Sequence, residues 1–269
     1  MIHEKIYIDP ADERVFLESY ALSDRNIAER DAILIIPGGA YSGVSEREGM
    51  YTALAFLGKG INTFVLTYSV GEHAVYPRQL IDACRALKYI KENAEKYHIN
   101  PKRIFALGYS AGGHLLGTLA TLHSIGEREL GLPEDYLKLR GAIFGYPVVT
   151  AYGETHKRSF ENLLKKPFGS ITDEEKEILS IEKNITADTP PAFIWHTSED
   201  RGVPINGSLK LCQAYFDAGQ PVELHIFPYG PHGIALGTEY TAYSGARQIQ
   251  PRAEIWVDEA FKWIKGLDN

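Results

Sequence analysis

Residues 108–112 read Gly-Tyr-Ser-Ala-Gly, a G-x-S-x-G pattern with Ser110 at its centre. A serine hydroxyl is a poor nucleophile until a neighbouring base takes its proton, so the pattern means little without its surroundings. Residues 103–107 ahead of it read as a strand, and residues 111–122 behind it, rich in small and apolar side chains, read as a helix. A serine on a sharp strand-to-helix turn presents its hydroxyl above the sheet. The flanking positions must then be glycine or very small, because a Cβ there would collide with the strand or the helix. The turn also sets Ser110 at a helix N-terminus, where backbone N–H groups favour negative charge.

The base should stand in the loop after the last strand. His232, in Gly230-Pro231-His232-Gly233, follows a predicted strand over residues 222–227. His225 lies within that strand, and His114 is expected to pack against the sheet one turn past Ser110. His196 ends a strand close to the expected acid, with a binding role as its alternative. An imidazole base needs a carboxylate to hold its tautomer and to stabilise its charged form. The strand over residues 192–196 is followed by Glu199 and Asp200, and Asp200 is favoured over its neighbour. The order Ser, Asp, His along the chain suits an open, mostly parallel sheet and differs from the two protease orders. A tetrahedral oxyanion needs preorganised N–H donors. Ala111, next to the serine, is one candidate. Gly39 and Ala40, in the Pro37-Gly38-Gly39-Ala40-Tyr41 loop after the strand over residues 32–36, are the others; which of residues 38–40 points inward stays open.

These residues need a scaffold, and the alternation of short β-branched runs with helical patterns predicts one: βαβ units, a mostly parallel central sheet and flanking helices. Residues 5–8 and 15–21 read as antiparallel opening strands, and residues 62–68 and 142–149 as further strands. Helices are expected from just past Glu46 through Leu57, from Pro77 through Tyr97, over residues 205–218, and over residues 253–264 at the close. Residues 150–189 break the alternation with a charged insertion holding two short helical patterns, 160–165 and 173–181, expected as a small cap over the C-terminal edge of the sheet. Residues 235–250, just after His232, form a second irregular stretch. No repeat or composition shift marks a boundary, so residues 1–269 read as a single domain.

Charge and cysteine content narrow the partners. The 269 residues carry a formal net charge of -7, with no run of basic residues. Phosphate-binding surfaces need the opposite sign, so no nucleic acid partner is expected. The N-terminus lacks a basic start with an apolar stretch, and no apolar run is long enough to span a bilayer, so no membrane association and a cytoplasmic address are expected. Cys84 and Cys212, both in predicted helices, read as thiols of a reducing compartment. No cluster of Cys, His and carboxylates has ligand spacing, so no metal and no cofactor are expected. A homo-oligomer is compatible with the composition.

Taken together, Pro37-Gly38-Gly39-Ala40-Tyr41, Ser45-Glu46-Arg47-Glu48-Gly49, Gly108 to His114, the Asp200-x-x-Val203-Pro204 loop and Pro231-His232-Gly233 resemble the acetyl-esterase and xylan-esterase-like branch of the α/β hydrolases, relatives of the hormone-sensitive-lipase-like esterases. The resemblance runs from about residue 33 to the C-terminus. It implies the α/β-hydrolase fold, a Ser110–His232–Asp200 triad and hydrolysis of short-chain esters, notably O-acetyl groups on carbohydrate, with a small-molecule or oligosaccharide ester as the partner. The family pattern usually carries a third glycine where this chain has Ala40, a change that leaves a backbone donor in place. An arylformamidase- or peptidase-like amide hydrolase on the same triad is the alternative within enzymes, and a ligand-binding protein on a hydrolase fold the alternative outside them. Tyr41, Tyr109 and Tyr229 all adjoin the expected catalytic loops and are candidates to line a sugar-binding pocket, offering an apolar face and a hydroxyl.

Overall fold

Every second side chain of a strand faces the same way, and in this chain both faces of the central strands are apolar. The computed structural model describes residues 1–23, 28–243 and 245–267. Its strands are β1 (Ile2–Tyr7), β2 (Phe16–Ala21), β3 (Arg30–Ile36), β4 (Asn62–Thr67), β5 (Ile99–Tyr109), β6 (Gly141–Gly145), β7 (Ala192–Thr197) and β8 (Val222–Phe227). They form one sheet in the order β1-β2-β4-β3-β5-β6-β7-β8. The pairs β1–β2 and β2–β4 are antiparallel; from β4 to β8 all neighbours are parallel. This is the mostly parallel, helix-flanked sheet that the alternation predicts, in the α/β-hydrolase arrangement that the resemblance implies.

The helices are α1 (Glu46–Leu57), α2 (Arg78–Glu92), α3 (Ser110–Leu130), α4 (Lys157–Leu164), α5 (Asp173–Leu179), α6 (Asn206–Asp217), α7 (Pro251–Glu254) and α8 (Trp256–Gly266). Two cores sandwich the sheet. Ala32, Leu34 and Ile36 of β3 with Ile104 and Ala106 of β5 pack against α2, α3 and α6. Ile33 and Ile35 with Phe105, Leu107 and Tyr109 pack against α1 and α8, where Phe56 and Trp256 meet.

Several boundaries differ from the sequence expectation, each for a local reason. Helix α1 begins at Glu46 itself, with Ser45 as its N-cap residue. Helix α2 stops at Glu92 rather than Tyr97: the Asn93 amide turns back to the Tyr89 carbonyl at 2.8 Å, and such side chain-to-backbone bonds compete with the helix ladder. Helix α3 continues to Leu130 through a kink at Leu122 and closes on Gly131 in the left-handed region. Strand β6 ends at Gly145, four residues early, because Tyr146 takes φ +36° and Pro147 has no N–H for a ladder. The closing helix is split into α7 and α8.

The 150–189 insertion carries α4 and α5. Its Phe160, Leu163, Ile171, Leu179 and Ile181 are buried in the core on the α2–α3 side. Residue 244 of the 235–250 stretch lies outside the described residues. Among the described residues no helix is long and apolar enough to cross a membrane.

Candidate active site

Strand β5 hands the chain to α3 through Ser110, which sits at φ +52°. A non-glycine residue held there costs about 1–3 kcal/mol, so the flanking structure must enforce it. The fit is tight: a Cβ on Gly112 would stand 2.1 Å from the Ile36 carbonyl oxygen at the end of β3. Ser110 is 7% exposed, enough for a hydroxyl to be reached from one side.

His232 and Asp200 complete a line with it. The Ser110 hydroxyl donates to His232 Nε2 at 2.9 Å, and His232 Nδ1 donates to Asp200 Oδ2 at 2.7 Å. Asp200 is buried, and its loop fills its remaining lone pairs: Oδ1 accepts the backbone N–H of Gly202 at 2.8 Å and of Val203 at 2.9 Å. His196 also donates to Oδ2, at 3.2 Å. Burial works to raise the Asp200 carboxyl, but the hydrogen bonds from His196 and His232 and the backbone outweigh it and hold the group far below the usual carboxylate range. Asp200 therefore stays an acceptor. Glu199 points elsewhere, half exposed, toward the Gly230 N–H and Arg247.

The loop after β3 carries the candidate N–H donors of residues 38–40, and its Gly38 packs against Ser110. Gly38 N–H is already taken, donating to Glu48 Oε2 at 2.7 Å. Among the described residues, no protein acceptor lies within hydrogen-bonding reach of the Gly39 or Ala40 N–H. Ala111 is the second residue of α3, and the first N–H groups of a helix have no partner within it. Ala40 and Tyr41 hold φ +53° and +57°, so the alanine in the usual glycine position adopts the left-handed conformation a glycine would take.

Two of the three candidate sugar-lining tyrosines are corrected by this geometry. Tyr109 ends a strand, and the period of two turns its ring away from the site into the α1–α8 core, where it is fully buried and its hydroxyl meets Thr52 at 2.9 Å. Tyr41 is also buried, 2.7 Å from His114 Nδ1. His114 Nε2 in turn donates to the Leu179 carbonyl, and burial pushes the ring down to about 4, which keeps it neutral at pH 7. Tyr229 is 61% exposed.

Sequence reasoning passed over Glu48, Tyr146 and Asn162. The Asn162 amide in α4 donates to the Ala40 carbonyl at 2.7 Å, so the insertion touches the loop directly. Glu48 had a signal: on α1 it shares a face with Thr52 and Phe56, a carboxylate on a buried stripe. Tyr146 and Asn162 had none, since their partners are far away in the chain.

Comparison with known proteins agrees with the architecture. The profile of the BD-FAE family matches residues 20–215. Endo-1,4-beta-xylanase B of Butyrivibrio fibrisolvens is 34% identical over 84% of this chain and 36% of its own length. The acetylxylan esterase of Xylanibacter ruminicola is 30% identical over 77% of this chain and 42% of its own. The chain thus spans well under half the length of either relative. The crystal structure of an acetyl ester-xyloside bifunctional hydrolase from Caldicellulosiruptor lactoaceticus superposes with a TM-score of 0.84 at 29% identity, over 98% of this chain and 96% of that one.

Proposed function

The chain belongs to the BD-FAE family and has the α/β-hydrolase fold, and on that footing we propose that it is a serine esterase acting on short-chain carboxylic esters, above all O-acetyl groups on carbohydrates, through an acyl-enzyme on Ser110. The observation that carries the proposal is the line from Ser110 Oγ through His232 to Asp200, together with Gly39 and Ala40 N–H groups that have no protein acceptor among the described residues.

In this reading Ser110 Oγ attacks the ester carbonyl carbon while His232 Nε2 takes the hydroxyl proton. The carbonyl oxygen gains the negative charge and is held by the N–H groups of Gly39, Ala40 and Ala111. The ester C–O bond breaks, and the alcohol leaves with the proton from His232. Water, deprotonated by the same histidine, attacks the acyl-enzyme and releases the carboxylic acid, returning the proton to Ser110. Asp200 holds the Nδ1–H tautomer and offsets the imidazolium charge. Water is the only co-reactant.

Preference for acetyl is supported by the likeness to the acetylxylan esterase and the acetyl ester-xyloside bifunctional hydrolase above. The 150–189 segment, read as a cap, also supports it: it is charged, and its Phe160, Leu163, Ile171, Leu179 and Ile181 are buried in the core, unlike a long apolar lipase lid. Cys84 and Cys212 are unpaired, in keeping with a reducing, cytoplasmic setting.

The test is kcat/KM across aryl acetate, butyrate, octanoate and laurate, with acetylated xylo-oligosaccharides and an aryl formamide alongside. A deep apolar acyl pocket would gain roughly 0.8 kcal/mol per added methylene; a shallow one loses that gain and adds a clash. Activity is expected to peak at acetate and to fall steeply beyond about four acyl carbons. An optimum at octanoate or longer overturns the acetyl preference, and a faster formamide than ester makes the enzyme an amide hydrolase.

A further inference from the structure

Glu48 lies in the first turn of α1 and is 3% exposed. A carboxylate removed from water is costly unless its lone pairs are filled. Both oxygens are filled here. Oε2 accepts the Gly38 N–H at 2.7 Å, and Oε1 accepts the Tyr146 hydroxyl at 2.7 Å. Tyr146 Oη accepts the Ala235 N–H at 3.1 Å, and its ring stands edge-on to His232 with centroids 5.0 Å apart. Burial and the adjacent carboxylate push the Tyr146 phenol well above its ordinary range, so it remains a donor. One buried carboxylate therefore ties together the loop after β3, the end of β6 and the loop that carries His232. It does so next to the nucleophile: a Cβ on Gly38 would stand 2.9 Å from Glu48 Oε2 and 3.0 Å from Ser110 Cβ.

We propose that Glu48 is a positioning residue of the acyl-transfer centre: it holds the Gly38 peptide toward itself, leaves the Gly39 and Ala40 N–H groups for the substrate oxygen, and through Tyr146 locks that loop to the histidine loop. The proposal rests on the esterase reading above. A negative charge this close to Ser110 repels a developing oxyanion, so any gain in rate from Glu48 comes through geometry. The Gly38 N–H bound to the carboxylate is turned away from donor duty, and the next two peptides follow from that anchor.

Glu48→Gln tests this at constant shape. Its amide keeps an acceptor for the Gly38 N–H but puts an NH2 where the Tyr146 hydroxyl donates, so that second bond must reverse or break. Expected is a fall in kcat of roughly 10- to 100-fold, the scale of a disturbed oxyanion donor, with KM changed less than about twofold. Affinity for an aryl boronic acid, which forms a tetrahedral adduct on Ser110, should fall in parallel with kcat/KM. Glu48→Asp, keeping two acceptors, should recover part of the loss. Tyr146→Phe should lose about 3- to 10-fold in kcat at unchanged KM, and the double variant less than the product of the singles. A folded Glu48→Gln with wild-type kcat and boronate affinity overturns the proposal. Should Glu48→Gln not fold, Tyr146→Phe decides alone: lowered kcat supports the coupling, and wild-type kcat overturns it. Ser110→Ala, run alongside, separates the two ideas, since turnover surviving in that variant defeats the esterase reading itself.

Discussion

The loop after β7 and the loop after β3 both frame Ser110, and they are held in different ways. Asp200 accepts from Gly202 and Val203 within its own short stretch, and from His196 four residues back. The loop after β3 turns locally, with the Ser42 and Gly43 N–H groups on the Gly39 carbonyl and the Ser45 N–H on the Gly38 carbonyl, and adds support from distant residues. The Pro37 carbonyl accepts from Tyr68 at 2.9 Å, Gly38 donates to Glu48, the Ala40 carbonyl accepts from Asn162, and the Tyr41 carbonyl accepts from Gly71 at 3.1 Å. Ala40 and Tyr41 meanwhile hold left-handed backbone that costs about 1–2 kcal/mol each. The loop after β7 is also tied to the His232 loop, Thr197 Oγ1 donating to the Gly230 carbonyl at 2.7 Å, but the backbone donors of the Asp200 carboxylate itself are local. A strained loop held by distant partners keeps its shape only as well as the whole domain is assembled.

The largest expected effect removes the residue both loops serve. Ser110→Ala should abolish fluorophosphonate labelling and ester turnover while leaving the thermal midpoint close to wild type; undiminished labelling would falsify the nucleophile assignment. Next comes the Asp200 loop. Asp200→Asn should preserve its backbone bonds but favour the wrong imidazole tautomer, with a loss of up to about 10⁴ in kcat. Glu199→Gln, on an exposed side chain, should change kcat by less than about threefold. Reversed losses would make Glu199 the acid.

The loop after β3 has a pH signature in stability. His114, bonded to Tyr41, titrates at about 4 in the fold because it is buried, against about 6.5 for a free histidine. Its folded-state value is lowered, so the unfolded chain binds the proton first. Its contribution to stability is complete above about pH 6.5 and is lost as pH falls through about 4, up to roughly 3 kcal/mol. Asp200 adds to acid lability only at lower pH, because its value is depressed from an already acidic one. Urea unfolding at pH 7.5, 6 and 5 measures the slope, and His114→Gln should flatten it between pH 6.5 and 4. A variant with the wild-type slope would remove His114 from the account. The smallest effect cuts one distant contact. Asn162→Ala should cost about 1 kcal/mol at the Ala40 carbonyl, read as about a fivefold drop in kcat with KM unchanged. If kcat does not move, the insertion does not tune the loop.

Much of the scaffold was legible because its signals are short-range. The strands over β3, β5, β7 and β8 show as β-branched and apolar runs, and the elbow shows as small residues around Ser110. His232 and Asp200 could be sought in the loops after β8 and β7 once strand order was assumed. Tyr41 and Tyr109 were misread because adjacency in sequence was taken for adjacency in space. Tyr109 neighbours Ser110 along the chain, yet the strand period turns it to the opposite layer. The end of α2 was misplaced because the Asn93 side chain closes it, not a glycine or proline.

By itself the sequence determined the alternation of strands and helices, the sharp turn at Ser110 and the loops on which Asp200 and His232 ride, since periodicity and steric limits act over a few residues. It took the packed fold to show that the Gly38 N–H is bound to Glu48, that Glu48 spans two loops through Tyr146, and that the insertion grips Ala40 through Asn162. Those outcomes depend on hydrogen bonds between residues up to 122 positions apart. Such partners are chosen by how the layers pack, and no local pattern encodes that choice.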